Sequence, residues 1–228
     1  SNSQLRTLTV TKILEMGNGN FVYRNAGDAM SATNRGLPGN VDLKVGLSTS
    51  QRGKLRVGYR GGQIGGTETL NGIGNIEAYL DELIVGGIGN NVNYDFTAVL
   101  DLRNATLTAL DNIGTARIGA DKGTHGYLYL PGGQVSSTNL VVGATVATES
   151  GSGRLWMSNT VFTVSNAVVV GETGRITNWV YGLSGGIDLL STNLTLAAAG
   201  TTGGVMVLKF QSDPTDRTVD FWGLRLKG

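Results

Sequence analysis

The chain has 228 residues, 15% of them charged and 36 of them glycine, with a formal net charge of +1 and no cysteine. So even a balance leaves no concentrated basic footprint, which excludes nucleic acid and anionic membrane as partners, and the missing cysteine excludes disulfides, thiolate metal sites and cysteine nucleophiles. Low charge with much Gly, Thr, Asn and Val fits one domain of many short strands and tight corners, and no apolar run reaches the roughly 20 residues of a membrane helix.

Residues 1–40 stand outside any repeat. Leu5 to Met16 reads as an edge strand or a short amphipathic element, with Leu8 and Val10 alternating with Thr7, Thr9 and Thr11, and residues 1–40 are expected to cap the strands after them. A stack of strands needs such a cover, because a bare end exposes open core and unpaired strand edges. GNGN at Gly17 to Asn20 and RGLPGN at Arg35 to Asn40 are turns by composition.

From Val41 a phrase returns. A strand of two alternating apolar residues runs into glycine at Leu43, Val45, Gly46; at Leu83, Val85, Gly86; at Ala116, Ile118, Gly119; at Leu140, Val142, Gly143; and at Val168, Val170, Gly171. A second strand comes next as Leu55 and Val57, Leu100 and Leu102, Leu128 and Leu130, Leu155 and Met157, and Ile187 and Leu189. A third begins at a constant step as Leu107 and Ala109, Val135 and Ser137, Phe162 and Val164, and Leu194 and Leu196; the first coil keeps only Gly62 and Ile64. Short alternating runs bounded by Gly, Ser and Asn are the strand signal, and their return marks a stacked repeat. The expected fold is therefore all-β, a β-solenoid with three short strands per coil over residues 41–200.

The phrase-ending glycines are 40, 33, 24 and 28 residues apart, which places an insertion in the longest gap, at Gly65 to Glu82. After Gly200 the period loosens into C-terminal strands or a cap over 201–228, ending in an apolar stretch that reads as a cut from something longer.

The repeats, above all LVVGATVATESGSGRLWMSNTVFTVSNAVVVGETG, resemble the degenerate β-solenoid repeats of large bacterial exported proteins, with autotransporter passenger domains and surface-anchored relatives nearest. The resemblance covers Val41 to about Leu196. It implies a right-handed parallel β-helix, a secreted or cell-surface location, and a role in adhesion, display or matrix structure. No membrane barrel or sorting tail of the kind those proteins carry is recognisable in this chain.

Enzymatic signatures are thin. GLSGG at Gly182 to Gly186 has the form GxSxG with Ser184 central, but the single His125 precedes it, no helix-forming segment comes after it, and a Gly-rich corner explains it. GGIGNNVN at Gly86 to Asn93 approaches a calcium-binding nonapeptide, yet Asn91 stands where the liganding Asp belongs. THG at Thr124 to Gly126 and RLK at Arg225 to Lys227 echo polygalacturonase motifs without the paired carboxylates that glycoside hydrolysis requires. The expectation is a protein that is not an enzyme and uses no cofactor or metal.

Two surfaces remain. Outward positions on the second strand bring Arg56, Asp101, Tyr127, Tyr129, Arg154 and Trp156 to one face, with Asp188 further along, and aromatics beside charges suit a sugar or protein. Plain stacking of aromatic rungs without a ligand is the simpler explanation. On the first strand the outward positions include Ile84, Val141 and Val169, an aliphatic strip that would serve self-association. The leading expectation is an extracellular structural or adhesive module that meets other copies of itself, or an extracellular glycan or protein. The rival is a carbohydrate-binding or carbohydrate-active β-helix that uses the aromatic face.

Overall fold

Alternation of buried and half-exposed side chains runs through most of the elements whose burial is described, and the described residues form strands only. The computed structural model describes residues 6–17, 20–24, 31–33, 41–59, 67–87, 96–144, 151–158, 160–171, 174–181, 186–189, 193–196 and 205–211. Over these residues the chain is all-β. Arg6–Val10 (β1), Ile13–Gly17 (β2), Asn20–Arg24 (β3) and Ser31–Thr33 (β4) come first. Three rounds come next: Val41–Val45 (β5), Gly53–Tyr59 (β6) and Thr67–Leu70 (β7); Ile73–Ala78 (β8), Leu80–Gly87 (β9) and Phe96–Asp101 (β10); Thr106–Ala109 (β11), Ile113–Ile118 (β12) and Thr124–Leu130 (β13). Beyond them lie Gly133–Val142 (β14), Ser152–Ser158 (β15), Thr160–Val170 (β16), Gly174–Tyr181 (β17), Gly186–Leu189 (β18), Asn193–Leu196 (β19) and Val205–Gln211 (β20).

These strands form three sheets. The first runs β1-β5-β8-β11; the second β4-β3-β2-β6-β9-β12-β14-β16-β18, with β19 also on β16; the third β7-β10-β13-β15-β17-β20. Through the rounds each strand pairs in parallel with the strand three elements away. Only β2-β3 and β3-β4, within the expected cap of residues 1–40, are antiparallel. A register shift between Ser137 and Asn139 divides the long strands β14 and β16 into two stretches each, and the two stretches of β16 pair separately with β18 and β19.

Pairing in register stacks like on like. Leu14, Leu55, Leu83, Ala116, Leu140 and Val168 form one continuous column in the second sheet, beside Val57, Val85, Ile118, Val142 and Val170. Leu70, Leu100, Leu128, Leu155 and Ile176 do the same in the third. All of these side chains are buried, with Phe96 and Phe162 the largest fully buried ones. Burying such columns is the main stabilising term, at about 25 cal/mol per Å² of apolar surface removed from water.

The first and second strands of the middle repeats have the expected register; the third strand at Leu107 and Ala109 pairs with Ile76 and Glu77 in the first sheet and not with Val135 and Ser137, and the outer repeats are displaced as well. Leu43 pairs with Leu8 and Ile76 in the first sheet, whereas the partner of Leu83 is Leu55. Ile187 and Leu189 lie against Phe162 and Val164, and Leu194 and Leu196 against Val168 and Val170. Residues 65–82, expected as an insertion, instead carry β7, β8 and the start of β9 from Thr67 onward, all paired within the sheets. Leu5 to Met16, expected as one edge strand, is two strands in two sheets from Arg6 onward. The cause is a corner device common to different bends. Gly46 follows β5 with φ 75° and Gly143 follows β14 with φ 79°, just as Gly86 turns near the end of β9 with φ 78°.

At these corners a second glycine is required. Gly119 N–H donates to Val85 O at 2.8 Å and Gly143 N–H to Ile118 O at 2.9 Å, which carries the interstrand ladder around the bend. The next strand of the third sheet then crosses so closely that a Cβ on Gly126 would strike Val85 O and Gly119 N. A Cβ on Gly153 would strike Ile118 O and Gly143 N. Gly46 and Gly53 face each other between the first and second sheets in a looser version of this crossing, a Cβ on Gly53 lying 3.0 Å from Gly46 N.

Such tight packing makes two substitutions informative. Gly153→Ala forces backbone against backbone and is expected to cost roughly 3 kcal/mol, at the upper end of overpacking effects; an unchanged denaturation midpoint would show that the corners are not that tight. Val142→Asp buries an unpaired carboxylate and is expected to abolish folding, while Val141→Asp, one residue away and half-exposed, is expected to be tolerated. Circular dichroism melts of the pair check the register, which equal damage from both would overturn.

Candidate functional site

The third sheet assembles most of the expected ligand face. Asp101 on β10, Tyr129 on β13 and Trp156 on β15 are successive partners in one row, and Tyr127 and Arg154 are partners in the row two residues back along the strands. Inward neighbours Leu100, Leu128 and Leu155, with Leu130 and Met157, are buried, so the alternating strand turns the aromatic rows outward. The rings of Tyr129 and Trp156 sit 6.1 Å apart at 35°, and Trp156 keeps 45% of its surface exposed.

Cations complete the pattern. The guanidinium of Arg154 lies 5.9 Å from the Tyr127 ring centre, and that of Arg103, in the turn after β10, lies 4.6 Å from the Tyr129 ring. Arg103 is held there by Asp101: Nε donates to Oδ1 at 2.9 Å and Nη2 to Oδ2 at 2.6 Å, a bidentate fork. The backbone N–H of Arg103 adds a third bond to Oδ1 at 3.1 Å. The side-chain hydrogen bond from Arg103 holds the Asp101 carboxyl below the usual aspartate range, against a partial opposing effect of burial. The same fork raises the Arg103 guanidinium.

Arg56 does not belong to this face. It lies on β6 in the second sheet, where its Nε donates to Glu82 Oε1 at 2.6 Å and its Nη1 reaches Glu15 Oε2 at 3.4 Å. Aligning phrases alone matches it with Asp101 through the displaced first repeat, and its two carboxylates make it a structural ion-pair centre. Asp188 likewise stands opposite Thr163 in the second sheet. The sequence reading does not reach Arg103 or Arg175. Arg103 lies in a turn, outside the alternating positions, while Arg175 was legible as the residue after Gly174, matching Arg154 after Gly153.

The aliphatic strip is partly as expected. Ile84, Arg117, Val141 and Val169 are consecutive partners across β9, β12, β14 and β16. Val141 and Val169 are half-buried neighbours on the outer surface. Ile84 is only 5% exposed, between the rungs of Arg56 and Arg117, whose long stems can cover an apolar neighbour. The strip therefore leaves two half-buried valines, Val141 and Val169, on the outer surface.

The remaining motif residues serve the corners or lie elsewhere. His125 Nδ1 and Ser152 Oγ lie 2.6 Å apart at the start of β13 and β15. Thr124 Oγ1 lies 2.8 Å from the Gly86 carbonyl and 2.9 Å from that of Asp121, so in THG it ties down a corner. Ser184 of GLSGG, Asn91 of the nonapeptide-like stretch, and Arg225 to Lys227 lie outside the described residues. Among the described residues no group of three or more His, Cys, Asp or Glu side chains is placed to hold a metal ion, and no helix is long and apolar enough to cross a membrane. Comparison with family models, with curated proteins and with solved structures finds no match.

The Asp101 fork predicts a titration. A carboxyl whose folded pKa lies below its unfolded value contributes stability that is present above the unfolded value and is lost as pH falls through the folded one. Carboxyl NMR of the folded chain should therefore show Asp101 titrating below the usual aspartate range near 3.9. Arg103→Gln should move that midpoint upward; an unmoved midpoint would mean the fork does not hold the carboxylate.

Proposed function

We propose that this chain is a right-handed parallel β-helix, one coil for every three strands, acting as a non-enzymatic structural or adhesive module outside a bacterial cell. The observation that carries the reading is the unbroken column from Leu14 to Val168, in which successive strands of the second sheet pair in parallel and in register. Such stacking builds length at about 4.8 Å per coil and devotes the interior to aliphatic packing, leaving outward rungs as the place for contacts. The bacterial, extracellular setting rests on the resemblance of the repeats to exported solenoid proteins.

Contact with other copies runs through Val141 and Val169, neighbouring aliphatic rungs on an outer face. A second reading, carbohydrate binding, is favoured by one specific observation, the exposed Trp156 paired with Tyr129.

Sedimentation tests the self-association. Wild-type chain is expected to associate as concentration rises, and Val141→Lys with Val169→Lys to weaken association about tenfold or more, some 1.4 kcal/mol. If wild type stays monomeric at high concentration and the lysine pair changes nothing, the module does not meet its own copies.

A further inference from the structure

The third sheet carries a charge imbalance that its own residues do not resolve. Arg154 on β15 and Arg175 on β17 are direct partners on adjoining rungs, and both are exposed. Like charges directly opposite one another destabilise a sheet, yet neither makes an ion pair with another described residue. Asp101 is the one carboxylate among the described outward positions of this sheet, and the Arg103 fork occupies it. Arg103, itself 62% exposed, still has three of a guanidinium's five N–H donors beyond that fork.

Two rows therefore run across the strands side by side. One is aromatic, with Tyr129 and Trp156; the other begins at Tyr127 and continues as Arg154 and Arg175. They are two residues apart along each strand, about 6.6 Å, and their rungs repeat at about 4.8 Å. We propose that this face binds an acidic polysaccharide lying across the strands, its sugar rings on the exposed Trp156 beside the Arg103-covered Tyr129 and its carboxylates on Arg154 and Arg175. Flat sugar faces match the aromatic row, and carboxylates match the forked guanidiniums. Single-stranded nucleic acid also stacks on aromatics beside cations, but it is held by a basic groove that tracks the backbone over several nucleotides, and this face offers one short row of arginines. The inference names the partner of the adhesive reading and rests on it.

The test uses the whole chain with three probes: polygalacturonate, the same polymer methyl-esterified, and single-stranded oligothymidylate. Polygalacturonate is expected to bind, weakening as salt rises. Arg154→Gln with Arg175→Gln, and separately Trp156→Ala, should each weaken it about tenfold or more in chain that still folds, and the double Gln variant should melt no lower than wild type because it removes a like-charge pair. The esterified polymer should bind wild type no better than the acidic one binds the double Gln variant. Equal binding of both polymers overturns the acidic class and leaves a neutral glycan site. Preference for the oligonucleotide overturns the glycan altogether. Binding of none of them by folded chain overturns the site, while the sedimentation result stands or falls by itself.

Discussion

Backbone hydrogen bonding around corners is the constraint on which the rest depends. A parallel sheet whose strands return after every third element must turn its chain sharply without losing the ladder, because a buried unpaired N–H or C=O costs as much as a lost hydrogen bond. Glycine N–H groups at the strand ends keep the ladder going: Gly46 onto Val10 O, Gly119 onto Val85 O, Gly143 onto Ile118 O and Gly171 onto Val142 O. The next strand crosses against that corner at another glycine, where a Cβ would meet backbone atoms that cannot move aside. Much of the chain's glycine therefore reflects geometry at these crossings.

Once the corners hold the register, chemistry stacks automatically. Each inward column is aliphatic because its members share one interior, and each outward row becomes a line of side chains at strand spacing. Whether a row becomes a site depends on what the register sets side by side. On the second sheet Arg56 is neutralised by Glu15 and Glu82, and Arg117 by Asp121, so these cations hold the surface together. On the third sheet Arg103 and Arg154 lean on tyrosines, and Trp156 keeps 45% of its surface exposed. The first arrangement satisfies itself, whereas the second leaves the charges of Arg154 and Arg175 without an ion pair among the described residues, which is the imbalance the proposed acidic glycan would answer.

Strand character was written in the sequence by itself, because alternation reports burial on a two-residue period regardless of the neighbour. So were the all-β class, the parallel stacking of the middle repeats, and the meeting of Tyr127, Tyr129, Arg154 and Trp156, which comes from aligning LYL at Leu128 to Leu130 with LWM at Leu155 to Met157. What only the tertiary structure decided was which sheet each phrase joins. The same signal, two apolar residues and a left-handed glycine, closes bends between different sheets, so phrase alignment exchanges Leu43 and Leu55 and carries Arg56 to the wrong face. Spacing could not separate them, since corner lengths vary while strand phrases do not. Register is settled by interstrand hydrogen bonds between residues 21 to 41 apart along these columns, and a local pattern holds no record of which distant partner accepts the bond.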